Sequence, residues 1–80
     1  MIVTPESIQS NIAQKMVTEH LHVAGDGTHF EAVVVSDEFA GKSRVQRHQL
    51  VYKTLGDRMR EEIHALSMKT YTPQEWRDSR

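Results

Sequence analysis

Near the start of the chain, Ile8, Ile12 and Met16 recur at i, i+4 and i+8, which lines up one apolar stripe on a helix. Thr4 suits the N-cap, Pro5 the first helical position, and Glu6 the positive end of the helix dipole. This pattern predicts a helix ending near Val17. The period then drops to two. His20-Leu21-His22-Val23 alternates polar with apolar, as a half-buried strand does. Gly25-Asp26-Gly27-Thr28 reads as a hairpin turn, in which both glycines can take positive φ and the aspartate can bond its own backbone. His29 to Ser36 is a second strand, with Phe30, Ala32 and Val34 on one face and His29 and Glu31 on the other.

Residues 37–42 read as a loop with Gly41 near its end. Ser43 and Gln46 have capping-box spacing and predict a helix through Val45, His48, Val51, Tyr52 and Leu55. Gly56-Asp57 interrupts it, and a second short helix runs to about Glu62. Alternation returns from His64 to Tyr71 as a third strand. Thr72-Pro73-Gln74-Glu75 starts a last helix, with Trp76 packing it onto the body.

The order αββααβα describes an α+β domain spanning residues 1–80. A two-helix crossover is long enough for a parallel, right-handed connection between strands two and three. The result is a mixed three-stranded sheet covered on one face by helices. If strands two and three are parallel neighbours, their first residues, His29 and His64, meet at one edge.

Composition narrows the chemistry. Eighty residues make one small core and leave little room for an enclosed active site. The chain has no cysteine, which excludes disulfides, a thiol nucleophile and any thiolate ligand of its own. No apolar run approaches a membrane span and no signal peptide is visible, so cytoplasmic residence is the expectation. The net charge of −1 hides an asymmetry. Residues 1–41 carry Lys15 as their single basic side chain, whereas residues 42–60 carry Lys42, Arg44, Arg47, Lys53, Arg58 and Arg60 against Asp57. Such a segment can attract an anionic partner, although a solvated helix face is the simpler account of it.

Five histidines are the informative residues: His20, His22, His29, His48 and His64. His20 and His22 share a strand face and read as exposed side chains more readily than as a chelate. His48 lies one helical turn from both Arg44 and Tyr52 and reads as a helix-face or packing residue. His29 and His64 stand apart because topology brings them to one edge, where two neutral imidazoles could serve one metal. By pattern alone they remain two unrelated edge residues. Ser36, Ser43 and Ser67 have no nucleophile-elbow context, no carboxylate pair has a defensible role, and Gly25-Asp26-Gly27 is too short for a phosphate loop. An enzyme is not expected.

Several segments together resemble the BolA-like family. They are Gly25-Asp26-Gly27-Thr28-His29-Phe30, Val34-Val35-Ser36, Phe39-Ala40-Gly41-Lys42, Arg47-His48-Gln49-Leu50-Val51-Tyr52, and Ile63 through Trp76. They appear in the family's order and spacing over roughly residues 5–78, and the short chain and hairpin histidine resemble its IbaG-type subgroup. The resemblance implies a class II KH-like fold. It also implies partnership with a monothiol glutaredoxin and a shared 2Fe-2S cluster, acting in iron–sulfur assembly, trafficking or iron sensing. In that reading His64 is the family's characteristic ligand and His29 matches the second, hairpin-derived one. Glutaredoxin and glutathione would supply the thiolates that this chain lacks. Imidazole ligands must be neutral, so cluster retention should weaken in mild acid.

The alternative is a nucleic-acid-binding transcriptional regulator using the KH-like fold and Lys42, Arg44, Arg47 and Lys53 on DNA. Against it, a KH clamp needs a Gly-x-x-Gly loop, and the helix break at Leu55-Gly56-Asp57-Arg58-Met59 holds one glycine. Homodimerisation is left open.

Overall fold

The computed structural model describes residues 3–56, 63 and 65–79. Their elements run in the order α1 (Pro5–Lys15), β1 (His20–Gly25), β2 (His29–Val35), a 3-10 turn (Asp37–Phe39), α2 (Arg44–Leu55), β3 (Ala65–Tyr71) and α3 (Pro73–Asp78). The predicted short helix after Gly56-Asp57 lies outside the described residues.

Each helix starts where a side chain can occupy an orphan backbone N–H. The Gln46 amide donates to Ser43 Oγ at 3.2 Å while Ser43 N donates to Gln46 Oε1 at 2.9 Å. Thr72 and Glu75 make the same reciprocal box at 3.2 and 2.8 Å. In α1 the expected N-cap, Thr4, is joined by Ser7 in a capping box whose second member the sequence pattern did not single out. α1 stops at Lys15, two residues earlier than expected, and Val17 beyond it is 80% exposed. α2 ends as expected at Gly56, whose φ of 56° favours glycine.

β2 is the central strand, antiparallel to β1 and parallel to β3. Its alternation puts Phe30, Ala32 and Val34 into the core, where they meet Ile8 and Ile12 of α1 and Val51 and Leu55 of α2. α1 and α2 therefore cover one face of the sheet. On the opposite face, register aligns His20, Val35 and Tyr71 in one row. Trp76 of α3 stacks on His20 at 4.9 Å between ring centroids and leans on Tyr71 at 5.3 Å. Between those two strands Val35 is fully buried, so α3 covers one end of the second face.

The stretch read as a plain loop after β2 carries structure. Ser36 is buried, donates to the Val17 carbonyl at 2.6 Å and accepts from the Glu38 amide at 3.1 Å. That turn drives Phe39 into the core with no exposed surface. Glu38 in turn accepts from the Val17 amide at 2.9 Å, which ties the α1–β1 connection to the end of β2.

Candidate functional site

The β1–β2 hairpin fixes one rim of the sheet. Asp26 Oδ1 accepts from the backbone amides of Thr28 and His29, both at 2.9 Å, and Asp26 N donates to the His29 carbonyl at 3.2 Å. Those two amides, His29's first, hold the Asp26 carboxyl below its ordinary value, so it keeps its charge and its grip on the turn. Only one of the two turn glycines takes positive φ, Gly27 at 98°. Gly25 serves a different need: a Cβ there would stand 2.5 Å from the His29 carbonyl oxygen and 2.6 Å from Phe30 Cδ1. Absence of a side chain lets the two strands close directly beneath His29.

His29 opens β2 with its side chain exposed, and its partner across the parallel pair is Ala65. A hollow of about 450 Å³ beside them is lined by Ala24, Gly25, Asp26, His29, Phe30, Glu31, Ala65 and Ser67. His64 lies outside the described residues. Among the described residues no group of three or more histidines and carboxylates could hold a metal. The donor set at this rim, imidazole without thiolate, fits a group whose remaining ligands come from another molecule.

The other histidines have separate roles. His20 stacks on Trp76 and belongs to the cover over Val35. His22 lies exposed in the next row, paired with Val33, and this edge-on arrangement does not bring it to His29. His48 meets Tyr52 edge-on at 6.5 Å. Its pKa is lowered, first by burial and then by the neighbouring Arg44 charge, which keeps it neutral on the helix face.

The basic segment divides. Arg47 is engaged within the fold: its side chain is 13% exposed and pairs with both Glu75 oxygens, at 2.7 and 3.2 Å. It also donates to the carbonyls of Lys42 at 3.0 Å and Thr70 at 3.4 Å and lies 5.9 Å over the Phe39 ring. Lys42 and Arg44 stay exposed beside β3, and Lys53 is exposed further along α2.

Arg47, with help from the Thr72 amide, holds the Glu75 pKa down from 4.5 to about 2. A carboxyl with a depressed folded pKa stabilises the fold fully above its ordinary value and loses that contribution as pH falls through the folded one. Glu75→Gln keeps the capping box and removes the charge. The difference in melting temperature between wild type and Glu75→Gln should therefore be present at neutral pH and close between about pH 4.5 and about pH 2. A difference that persists unchanged below that window would show that the charge is not its source.

Comparison with known proteins agrees with this architecture. A sequence model of the family described as BolA-like protein matches residues 4–75. The acid stress protein IbaG of Escherichia coli K12 is 43% identical over 70 residues, covering 86% of this chain and 83% of that protein. The DNA-binding transcriptional regulator BolA of Haemophilus influenzae is 38% identical over 85 aligned positions, covering 89% and 82%. Among solved structures, a BolA homologue from Coxiella burnetii superposes with a TM-score of 0.84 at 45% identity, covering 94% of this chain and 97% of that one. Sequence and fold match along nearly the whole length, and the chain belongs to the BolA-like family.

Proposed function

We propose that this chain is a non-catalytic partner of a monothiol glutaredoxin, and that His29 and His64 complete the coordination of a 2Fe-2S cluster held jointly with glutaredoxin and glutathione thiolates. The observation that carries this reading is the register of His29 against Ala65, the residue that directly follows His64 in the chain. The exposed His29 side chain and the open hollow beside it support it further. Such a cluster would bring electron-transfer and exchangeable-iron chemistry. The chain's own part is to present neutral nitrogen donors on a stiff sheet edge. Asp26 sets the direction of the backbone at His29 through its two amide bonds, and the side chain at position 25 is absent so that the strands stay paired beneath it.

Replacing thiolates by imidazoles on one iron raises the potential of such a centre. The heterodimer should therefore differ in absorption and potential from a cluster held by thiolates alone. The test mixes the chain with a monothiol glutaredoxin, iron, sulfide and glutathione. A coloured heterodimer is expected by size exclusion, and His64→Ala should abolish the stable cluster-bridged form. His29→Ala should leave protein–protein docking intact while altering the visible spectrum. If the double variant kept the wild-type spectrum, the histidine assignment would fail. If no heterodimer formed at all, the partnership itself would fail.

The regulator reading rests on relatives such as the Haemophilus protein named as DNA-binding. In this chain Arg47, one of its four proposed contacts, has its guanidinium occupied by Glu75, which leaves that reading Lys42, Arg44 and Lys53. Among the described residues no helix is long and apolar enough to cross a membrane.

A further inference from the structure

The two edges of the sheet are treated differently. On the β1 edge, α1 reaches over: Gln9 Oε1 accepts from the Val23 amide at 3.1 Å. The β3 edge has no such cover among the described residues. Ser36 N donates to the Tyr71 carbonyl at 3.0 Å, so the backbone of Tyr71 faces β2. Strand alternation then turns Ser67 and Lys69 towards β2 as well, and Leu66, Met68 and Thr70 outward. Of those outward groups, the Thr70 carbonyl is taken by Arg47, and the amides of Leu66, Met68 and Thr70 face away from the sheet.

Two hollows adjoin this strand and meet at Arg44, Met68 and Lys69: one of about 480 Å³ lies between β3 and the start of α2, and one of about 310 Å³ extends across β3 to Glu31, Ala32 and Val33 of β2. Their charged lining is unbalanced. Arg47 and Glu75 neutralise each other, and Glu31 stands at one end. Lys42, Arg44 and Lys69 are exposed and make no ion pair among the described residues. A strand edge with free donors and acceptors is a template for one more strand. Three cations beside it select the charge of that strand.

We propose that the outer edge of β3 accepts an acidic, extended segment of a partner protein as a fourth strand. This surface goes beyond the glutaredoxin reading and does not depend on it, since its groups are backbone amides and cations rather than histidine donors. The free backbone groups two residues apart match a peptide's repeat, not a nucleotide's. Stacking, which carries single-stranded nucleic acid binding, finds two rings in these hollows, and both are engaged within the fold: Tyr71 rests on Trp76 and His48 meets Tyr52. A second copy of this chain would bring Lys69 and Arg44 against their own kind and is disfavoured by charge.

The probe is a blocked eight-residue peptide of alternating Glu and Val, with its Lys-Val counterpart and a DNA duplex as comparisons, each titrated into the full chain. Saturable binding of the Glu-Val peptide is expected, together with slowed hydrogen exchange at the amides of Leu66 and Met68 but not at Ser67 or Lys69. The double variant Arg44→Glu, Lys69→Glu, checked for folding by circular dichroism, should weaken binding by about tenfold or more. N-methylating the edge-facing peptide amides should abolish it. No binding, equal binding of the Lys-Val peptide, or binding without protection at Leu66 and Met68 would overturn the proposal. So would displacement of the peptide by DNA that leaves those amides unprotected, which assigns the cations to nucleic acid, or concentration-dependent dimerisation through this edge.

Discussion

Phe39→Ala should come close to unfolding the domain. The ring has no exposed surface and plugs the core from a 3-10 turn. Truncating a buried phenylalanine costs about 3–5 kcal/mol. A chain of 80 residues has only about 4–12 kcal/mol of stability to lose, at about 0.05–0.15 kcal/mol per residue. Urea denaturation should show the midpoint falling by at least about a quarter, with little change in slope. A loss under about 1 kcal/mol would mean that the turn and its aromatic are dispensable to the core.

The second large effect is expected at Arg47. Arg47→Met preserves the aliphatic stem and removes the guanidinium, and with it the cation over the Phe39 ring, the Glu75 pair and the bonds to the carbonyls of Lys42 and Thr70. Bonds to a charged group at a site this well covered are worth about 1.5–3 kcal/mol in all, because the abandoned carbonyls and Glu75 can rehydrate at the surface. The damage should be local at first. Glu75 sits on α3, and Trp76, the chain's one tryptophan, reports whether α3 stays docked. Its emission should shift to the red in Arg47→Met at urea concentrations that leave far-ultraviolet circular dichroism unchanged. The Arg47 and Phe39 replacements should also fall short of additivity, since one side chain lies over the other. Strict additivity would show that the cation over the ring contributes nothing.

Sequence reasoning recovers the elements that are specified locally. Ser43 with Gln46 and Thr72 with Glu75 are three residues apart, so their capping boxes are visible in the string and present in the fold. The Asp26 turn and the alternation of Phe30, Ala32 and Val34 are equally local. What stays hidden depends on distant partners. Arg47 and Glu75 are 28 residues apart, and nothing near either predicts that they meet, so Arg47 reads as one more surface cation. His20 and Trp76 are separated by most of the chain, and only the His20–Val35–Tyr71 row brings α3 over them. Phe39 is a partial exception. A lone phenylalanine in a polar loop is itself a hint of burial, and the Ser36 hydroxyl that turns it inward follows the serine-turn pattern. At the candidate metal site, topology alone puts His29 opposite Ala65, because parallel strands that begin together share an edge.

The mixed sheet also sets an order on how the molecule assembles. β1 and β2 are joined by a three-residue turn, so their pairing needs little chain to be closed. β3 can pair with β2 only after the whole of residues 36–64 has been looped back. Closing that long segment loses entropy before any contact returns it, which makes the β2–β3 ladder the late, slow step of folding. Until it forms, β2 has an open flank, and His29 stands on a hairpin with nothing opposite it. Under the proposed function, coordination that draws on both strands would then wait for the finished fold.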